Sequence, residues 1–207
     1  MLSETPRPDE HPDGRVARGE RTRRLILDAH SALLREGNLR PTAIAVAGRA
    51  GVSIRALWAN FKDLEGLVEA ASVEWVRDDP AHETDIDPDL PMAERVQRFC
   101  AQRARRMEAI APALRASALE PNSPAVARQR QVIYARNQGV VRAVFATELD
   151  RAADAASEVV VALMTGCGAR CWLVMCDDLG LAPDAAEAVM HRAAHAVLAE
   201  FADPPTR

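Results

Sequence analysis

Residues 45 to 61 read AVAGRAGVSIRALWANF, two short helical stretches hinged at Gly51. Their spacing sets Ala47, Ala50, Val52, Leu57 and Phe61 on one inner face, leaving Arg49, Arg55, Trp58, Asn60 and, just beyond, Lys62 to point outward. Gly51 stands where a first helix must turn, often through positive φ, and Ser53 offers a hydroxyl to cap the second. Two helices joined by a turn of three or four residues form a helix-turn-helix.

Working outward, Thr42 follows Pro41 and caps the helix that ends at Gly51, while Asp63 caps another whose apolar face is Leu64, Leu67, Val68, Ala71 and Trp75, extending to about Arg77. Upstream, a helix is expected from Glu20 to about Glu36, with Ile26, Ala29, Leu33 and Leu34 inward and Gly37 as its stop. Its first turn is crowded by Arg21, Arg23 and Arg24. Positive charge there opposes the helix dipole by about 0.3–1 kcal/mol per exposed charge, which either a nearby polyanion or plain solvation can offset.

The charge of the whole chain sharpens that choice. Between Arg15 and Lys62, ten Arg or Lys face three acids, a local net of +7 in a chain of net charge −4, so the remainder carries −11. The basic first third is the part that would meet phosphate.

The remaining residues read as helical. No run of alternating β-branched residues suggests a sheet, and the 207 residues suffice for one all-α body plus a small module. The first 19 residues, with Pro6, Pro8 and Pro12 among charges, lack the apolar core of a signal peptide and read as a disordered arm. A linker at 78–91, with six acids and three prolines, precedes helices expected at Ala93 to Ile110, Ala113 to Leu119, Ala125 to Leu149, Ala155 to Leu179 and Asp184 to Phe201. Asp85, Asp87 and Asp89 imitate a calcium loop, but Leu90 replaces its glycine and Val96 its glutamate.

The most apolar stretch, Val159 to Cys176, approaches the length of a membrane span, but Thr165, Gly166, Gly168 and Arg170 interrupt it, which favours a buried helix. Three of the four cysteines lie there, with neither a CxxC pair nor a zinc spacing; without an export signal they read as reduced thiols, either core hydrophobes or a redox sensor. His191 and His195 are four apart, but no third metal ligand is in view. The five histidines are scattered, and Gly166-x-Gly168 lacks the strand and third glycine of a nucleotide loop, so no enzyme, cofactor or metal is expected.

The segments ILDAHSALLREGN and PTAIAVAGRAGVSIRALWANFKDLEGLVEA resemble the N-terminal domain of the TetR family of transcriptional regulators, over about Arg21 to Arg77. The resemblance implies residues 20–77 as a DNA-binding domain and 78–207 as a ligand-binding and dimerisation domain. It implies a cytoplasmic homodimer on a palindromic double-stranded DNA operator, acting as a repressor released by a small apolar effector. Thr42, Trp58, Asn60 and Lys62 would hold the DNA backbone, with Arg24 on the same basic surface, while Ile54 and Arg55, with Ala59, would face base edges; Arg55 could equally hold a phosphate. The chain departs from the family at Trp58, usually Tyr, at Asn60, often His, and at Leu64, usually lysine, which leaves Lys62 to stand in.

In the C-terminal part, Ala155 to Leu179 is apolar almost all round and must be covered on more than one side. Ala162, Gly166 and Gly168, with Ala185, Ala188, Val189, Ala193, Ala196, Val197 and Leu198 of the last helix, are the expected four-helix dimer face. Polar residues within apolar stripes nominate Phe99, Arg103, Met107, Tyr134, Asn137 and Trp172 as effector-lining, the alternative being that Arg103 pairs or snorkels and Asn137 bonds to backbone.

Overall fold

A computed structural model describes residues 12–77, 86–119 and 123–202, and every regular element among them is helical. The chain divides into two compact units between Val76 and Arg77. The first holds α1 (Pro12–Arg35), α2 (Ala43–Ala50), α3 (Ile54–Asn60) and α4 (Leu64–Arg77). The second holds α5 (Met92–Ala109), α6 (Ala111–Leu119), α7 (Pro124–Val144), α8 (Ala146–Ala152), α9 (Ala156–Gly166), α10 (Ala169–Leu173) and α11 (Pro183–Ala199).

The helix boundaries of the first unit follow from side-chain caps. Thr42 Oγ1 accepts from Ala45 N–H at 3.2 Å, Ser53 Oγ from Ala56 N–H at 3.1 Å, and Asp63 Oδ1 from Gly66 N–H at 2.7 Å. Each satisfies one of the amides a helix start leaves without a partner. Gly51 adopts φ 68°, so that its own N–H and that of Val52 return to the Gly48 and Ala47 carbonyls, a left-handed stop that a side chain would strain. Ile26, Ala29, Val46, Ala47, Leu57, Phe61, Leu67 and Ala71 close over one another as the core of this unit. Ala50 and Val52, expected fully inside, are half-buried at its edge.

One boundary differs from expectation here. α1 begins at Pro12, so residues 12–19, assigned to the arm, are helical; residues 1–11 lie outside the described residues. Proline suits the first turn of a helix because its missing N–H would be unpaired there anyway. All of α4 but its last residue, Arg77, belongs to the first unit.

His30 lies inside this unit, 4% exposed, and its Nδ1 has no hydrogen-bond partner. Burial lowers its pKa from the ordinary 6.5 to about 4, so the folded unit holds it neutral. The unfolded chain binds a proton at higher pH than the fold does, so stability is complete above pH 6.5 and falls as pH drops through the window down to about 4. The loss expected across that window is about 3 kcal/mol. Denaturation midpoints of wild type and His30→Leu between pH 7.5 and 4.5 check this; equal pH slopes for the two would rule it out.

The second unit is built around Val96, Phe99, Cys100, Val141, Phe145, Leu163, Met190 and Leu198. α11 turns Ala186, Met190, Ala194 and Leu198 inward at every fourth residue. Phe99 meets Phe145 edge to face, centroids 5.4 Å apart. The helix expected from Ala125 to Leu149 is interrupted at Phe145, which takes φ −116° and is wholly buried. The helix expected from Ala155 to Leu179 breaks at Cys167 and Gly168 and ends in a π-helical segment, Val174–Asp178.

Two buried arginines answer these breaks. Arg95 donates from Nη1 to the Val144 carbonyl at 2.7 Å, and Arg103 donates from Nε and Nη2 to the Cys167 carbonyl, both at 3.1 Å. A broken helix leaves carbonyls without amide partners, and guanidinium groups supply the missing donors. Taken end to end, Ala146–Asp178 has the length and apolar composition of a membrane span, though Val159, Val160, Leu163, Trp172 and Met175 within it belong to this core.

Candidate DNA-binding surface

α2 and α3 hold their outer residues rigidly because their inner ones, Val46, Ala47 and Leu57, are locked in the core. Outside stand Thr42, Ile54, Arg55, Trp58, Ala59 and Lys62, all exposed. Ile54 and Trp58 are one turn apart on α3, and Trp58 is 41% exposed, so a large apolar pair faces outward beside a cation. No hydrogen bond or ion pair to a described residue holds Arg55 or Lys62, whose charges face solvent. Thr42 uses an oxygen lone pair for its cap, leaving the hydroxyl proton able to donate outward.

The other basic residues are more constrained. Arg24 lies 3.5 Å from Glu74 of α4, a long and exposed pair that a phosphate could displace. Arg49 is gripped by Glu36, with N–O separations of 2.6 and 3.4 Å. Asn60 turns back on its own helix, its Nδ2 donating to the Ala56 carbonyl at 2.8 Å, so one of its two donors is already used. Sequence reading did not distinguish Arg23 from its neighbours: its guanidinium lies 4.3 Å from the Phe61 ring centroid and donates to the Asn60 carbonyl at 3.0 Å, clasping α1 to the end of α3. The signal was slight, since 37 residues separate the partners.

In the second unit, Phe99, Met107 and Trp172 are core residues, and Arg103 lies 5.9 Å from the Phe99 ring centroid with its donors on Cys167. Asn137 is buried with Oδ1 unpaired. Tyr134 does not join them: it shares a helical face with Asn137 and Val141, but none of residues 131–136 of α7 is buried, and it stands 46% exposed. Two open depressions, of about 830 and 860 Å³, lie along α5 and α11 and share Gln97 and His191; none of the six effector candidates lines either. The His191 and His195 rings stack with centroids 6.2 Å apart, and no group of three His, Cys, Asp or Glu among the described residues could hold a metal.

No established family profile matches this chain, nor does any curated protein. A solved structure of a transcriptional regulator from Rhodococcus sp. Rha1 is similar to it, with a TM-score of 0.68 over 90% of this chain and 99% of that one, at 18% identity. That likeness establishes the all-helical architecture as one found in a transcriptional regulator.

Proposed function

We propose that this chain is a TetR-type transcriptional repressor, working in the cytoplasm as a homodimer on a palindromic operator and released by a small apolar effector. One observation carries the reading: a capped α2–turn–α3 unit presents Ile54, Arg55 and Trp58 outward within a segment of net charge +7. The similar architecture of a known transcriptional regulator supports it. Residues 20–77 bind DNA, and 78–207 bind effector and partner. The exposed positions on α9 and α11, including Val161, Ala162, Ala185, Ala188, Val189, Ala193 and Ala196, fit a four-helix face formed with a second copy. Phe99, Arg103, Met107, Asn137 and Trp172 are where an effector would open the second unit, and the unpaired Asn137 Oδ1 would accept its polar group. The signal passes along α4, the last helix before the second unit, and requires effector affinities for the two states that differ by about 5.5 kcal/mol to switch nearly the whole population.

The test is operator binding by gel shift after selection from random duplexes. Arg55→Ala is expected to lose roughly 1–3 kcal/mol of discrimination at one base pair. Lys62→Ala should instead weaken all sequences evenly and reduce the salt slope by about one phosphate contact. Wild-type binding that is equal for all sequences would replace this reading with a non-specific DNA binder, and unchanged affinity and preference in Arg55→Ala would remove Arg55 from base reading.

A further inference from the structure

Four of the seven residues of α3 are exposed, Ile54, Arg55, Trp58 and Ala59, and none of these four side chains carries a hydrogen-bond acceptor. Arg55 has donors only, Trp58 a single indole N–H, and Ile54 and Ala59 neither. Asn60, which does carry an acceptor, is half-buried at the end of the helix with its amide turned back on the Ala56 carbonyl. Ile54 and Trp58 are 42% and 41% exposed, so a ridge of hydrocarbon one turn long faces outward beside the Arg55 charge, while Leu57 is wholly buried.

The bases of a duplex differ in what they offer such a face. In the major groove adenine and cytosine each present an amino group that needs an acceptor; guanine presents two acceptors, and thymine one acceptor beside a C5-methyl group. A face made of donors and hydrocarbon strands the amino groups without partners, which costs their lost hydration, and is matched by guanine and thymine. The net charge of +7 between Arg15 and Lys62 complements duplex phosphate and commits the face to DNA.

We propose that Ile54 packs on the C5-methyl group of a thymine in the same half-site whose guanine Arg55 reads, an assignment that rests on the DNA-binding role proposed above and narrows it to operators whose affinity depends on a methyl group. Ser53 caps the helix at Ala56, and Leu57, three residues beyond Ile54, is locked in the core, so the Ile54 side chain is held in a fixed place on the outer face. Ala59, one turn beyond Arg55, is too small to hold the helix away from the bases. Uracil differs from thymine by that methyl group alone. Removing one buried methyl carbon lowers affinity by about fourfold.

The probe is a random-sequence duplex pool carried through rounds of binding to the full-length wild-type protein, then amplified once with thymidine triphosphate and once with deoxyuridine triphosphate, which removes every C5-methyl group and leaves base pairing intact. Wild type is expected to bind the thymine duplexes at least about fourfold more tightly than the uracil duplexes. Ile54→Ala should weaken binding to the thymine duplexes and bring that ratio towards one, Ile54→Val should keep it, and Arg55→Ala should weaken both duplexes with the ratio unchanged. Equal affinity of wild type for the two duplexes would overturn the proposal and leave sequence-specific binding standing. A pool that never enriches removes the sequence-specific reading and the proposal with it. A folded Ile54→Ala protein with the wild-type ratio also overturns the assignment, because the methyl groups then act through duplex shape or another side chain. The comparison of the two duplexes is made on the wild type and stands even if a variant fails to fold.

Discussion

Glu148→Ala is expected to lower the stability of the second unit by about 3–5 kcal/mol, a large part of what a domain of this size possesses. Arg95 and Glu148 are 4% and 2% exposed and pair twice, Nη2 to Oε1 at 2.6 Å and Nη1 to Oε2 at 2.8 Å. Two further Arg95 donors go to the Val144 carbonyl and, from Nε, to that of Leu90 at 2.9 Å. Truncating Glu148 leaves those carbonyls served but strands a guanidinium charge in the interior. The cost comes from that uncompensated charge, not from the intrinsic strength of the pair. Arg95→Met with Glu148→Leu removes both charges and should therefore be at least about 1 kcal/mol more stable than Glu148→Ala alone, although the Val144 carbonyl then loses its donor. Urea unfolding followed by the fluorescence of buried Trp172, in a background with Trp58 and Trp75 replaced by Phe, reads the second unit separately. A Glu148→Ala cost below 1 kcal/mol would show that solvent reaches Arg95.

Arg95 also shows where sequence reading reaches its limit. The helix-turn-helix was legible because everything that shapes it is local: Thr42 and Ser53 cap three residues ahead, and Gly51 turns the chain within one residue. The inward stripes of α1 and α4 obey the same short rule, and Ile26, Ala29, Leu34, Leu67 and Ala71 are buried where the periodicity places them, whereas Leu64, placed on the α4 stripe, is 41% exposed at the first position of its helix. In the second unit the deciding interactions span 49 to 64 residues. Arg95 looks like a surface residue, and Arg103 like a polar member of an effector-lining stripe, until the breaks at Phe145 and Cys167 create carbonyls for them to serve, and neither break carries the proline that would announce it. Tyr134 differs from Asn137 for a related reason: periodicity puts it on the same face as Val141, but whether that face is covered at this point of α7 depends on residues far along the chain, and there it is 46% exposed. The DNA-facing residues fall between these cases. Their exposure was readable from spacing, but the engagement of Arg24 with Glu74, Arg49 with Glu36 and Asn60 with Ala56 required α1, α2, α3 and α4 to be in place.

Gly168→Ala is the second large effect, and it differs from Gly166→Ala two residues away although both alter the apolar helix in the same chemical way. At Gly168 the backbone is extended, φ −96° and ψ 165°, a conformation any residue adopts, so the constraint is purely one of space. An added Cβ would lie 2.4 Å from the Met164 carbonyl oxygen and 3.4 Å from that of Thr165. Backbone oxygen cannot rotate away as a side chain can, so the end of α9 must shift by nearly 1 Å, at a cost of about 1–3 kcal/mol or more. At Gly166 a Cβ meets nothing within 4 Å, and Ala there should stabilise α9 by about 0.5–1 kcal/mol. Both glycines were expected to admit a partner helix, but Gly168 is taken up by a contact inside its own chain. The pair of variants therefore separates two roles: Gly168→Ala should unfold earlier whatever the protein concentration, because its clash exists in a single chain, while Gly166→Ala should match or exceed wild type. If the two have equal denaturation midpoints, the turn after Cys167 can relax without cost, and the close approach of Gly168 to Met164 does not hold the break in place.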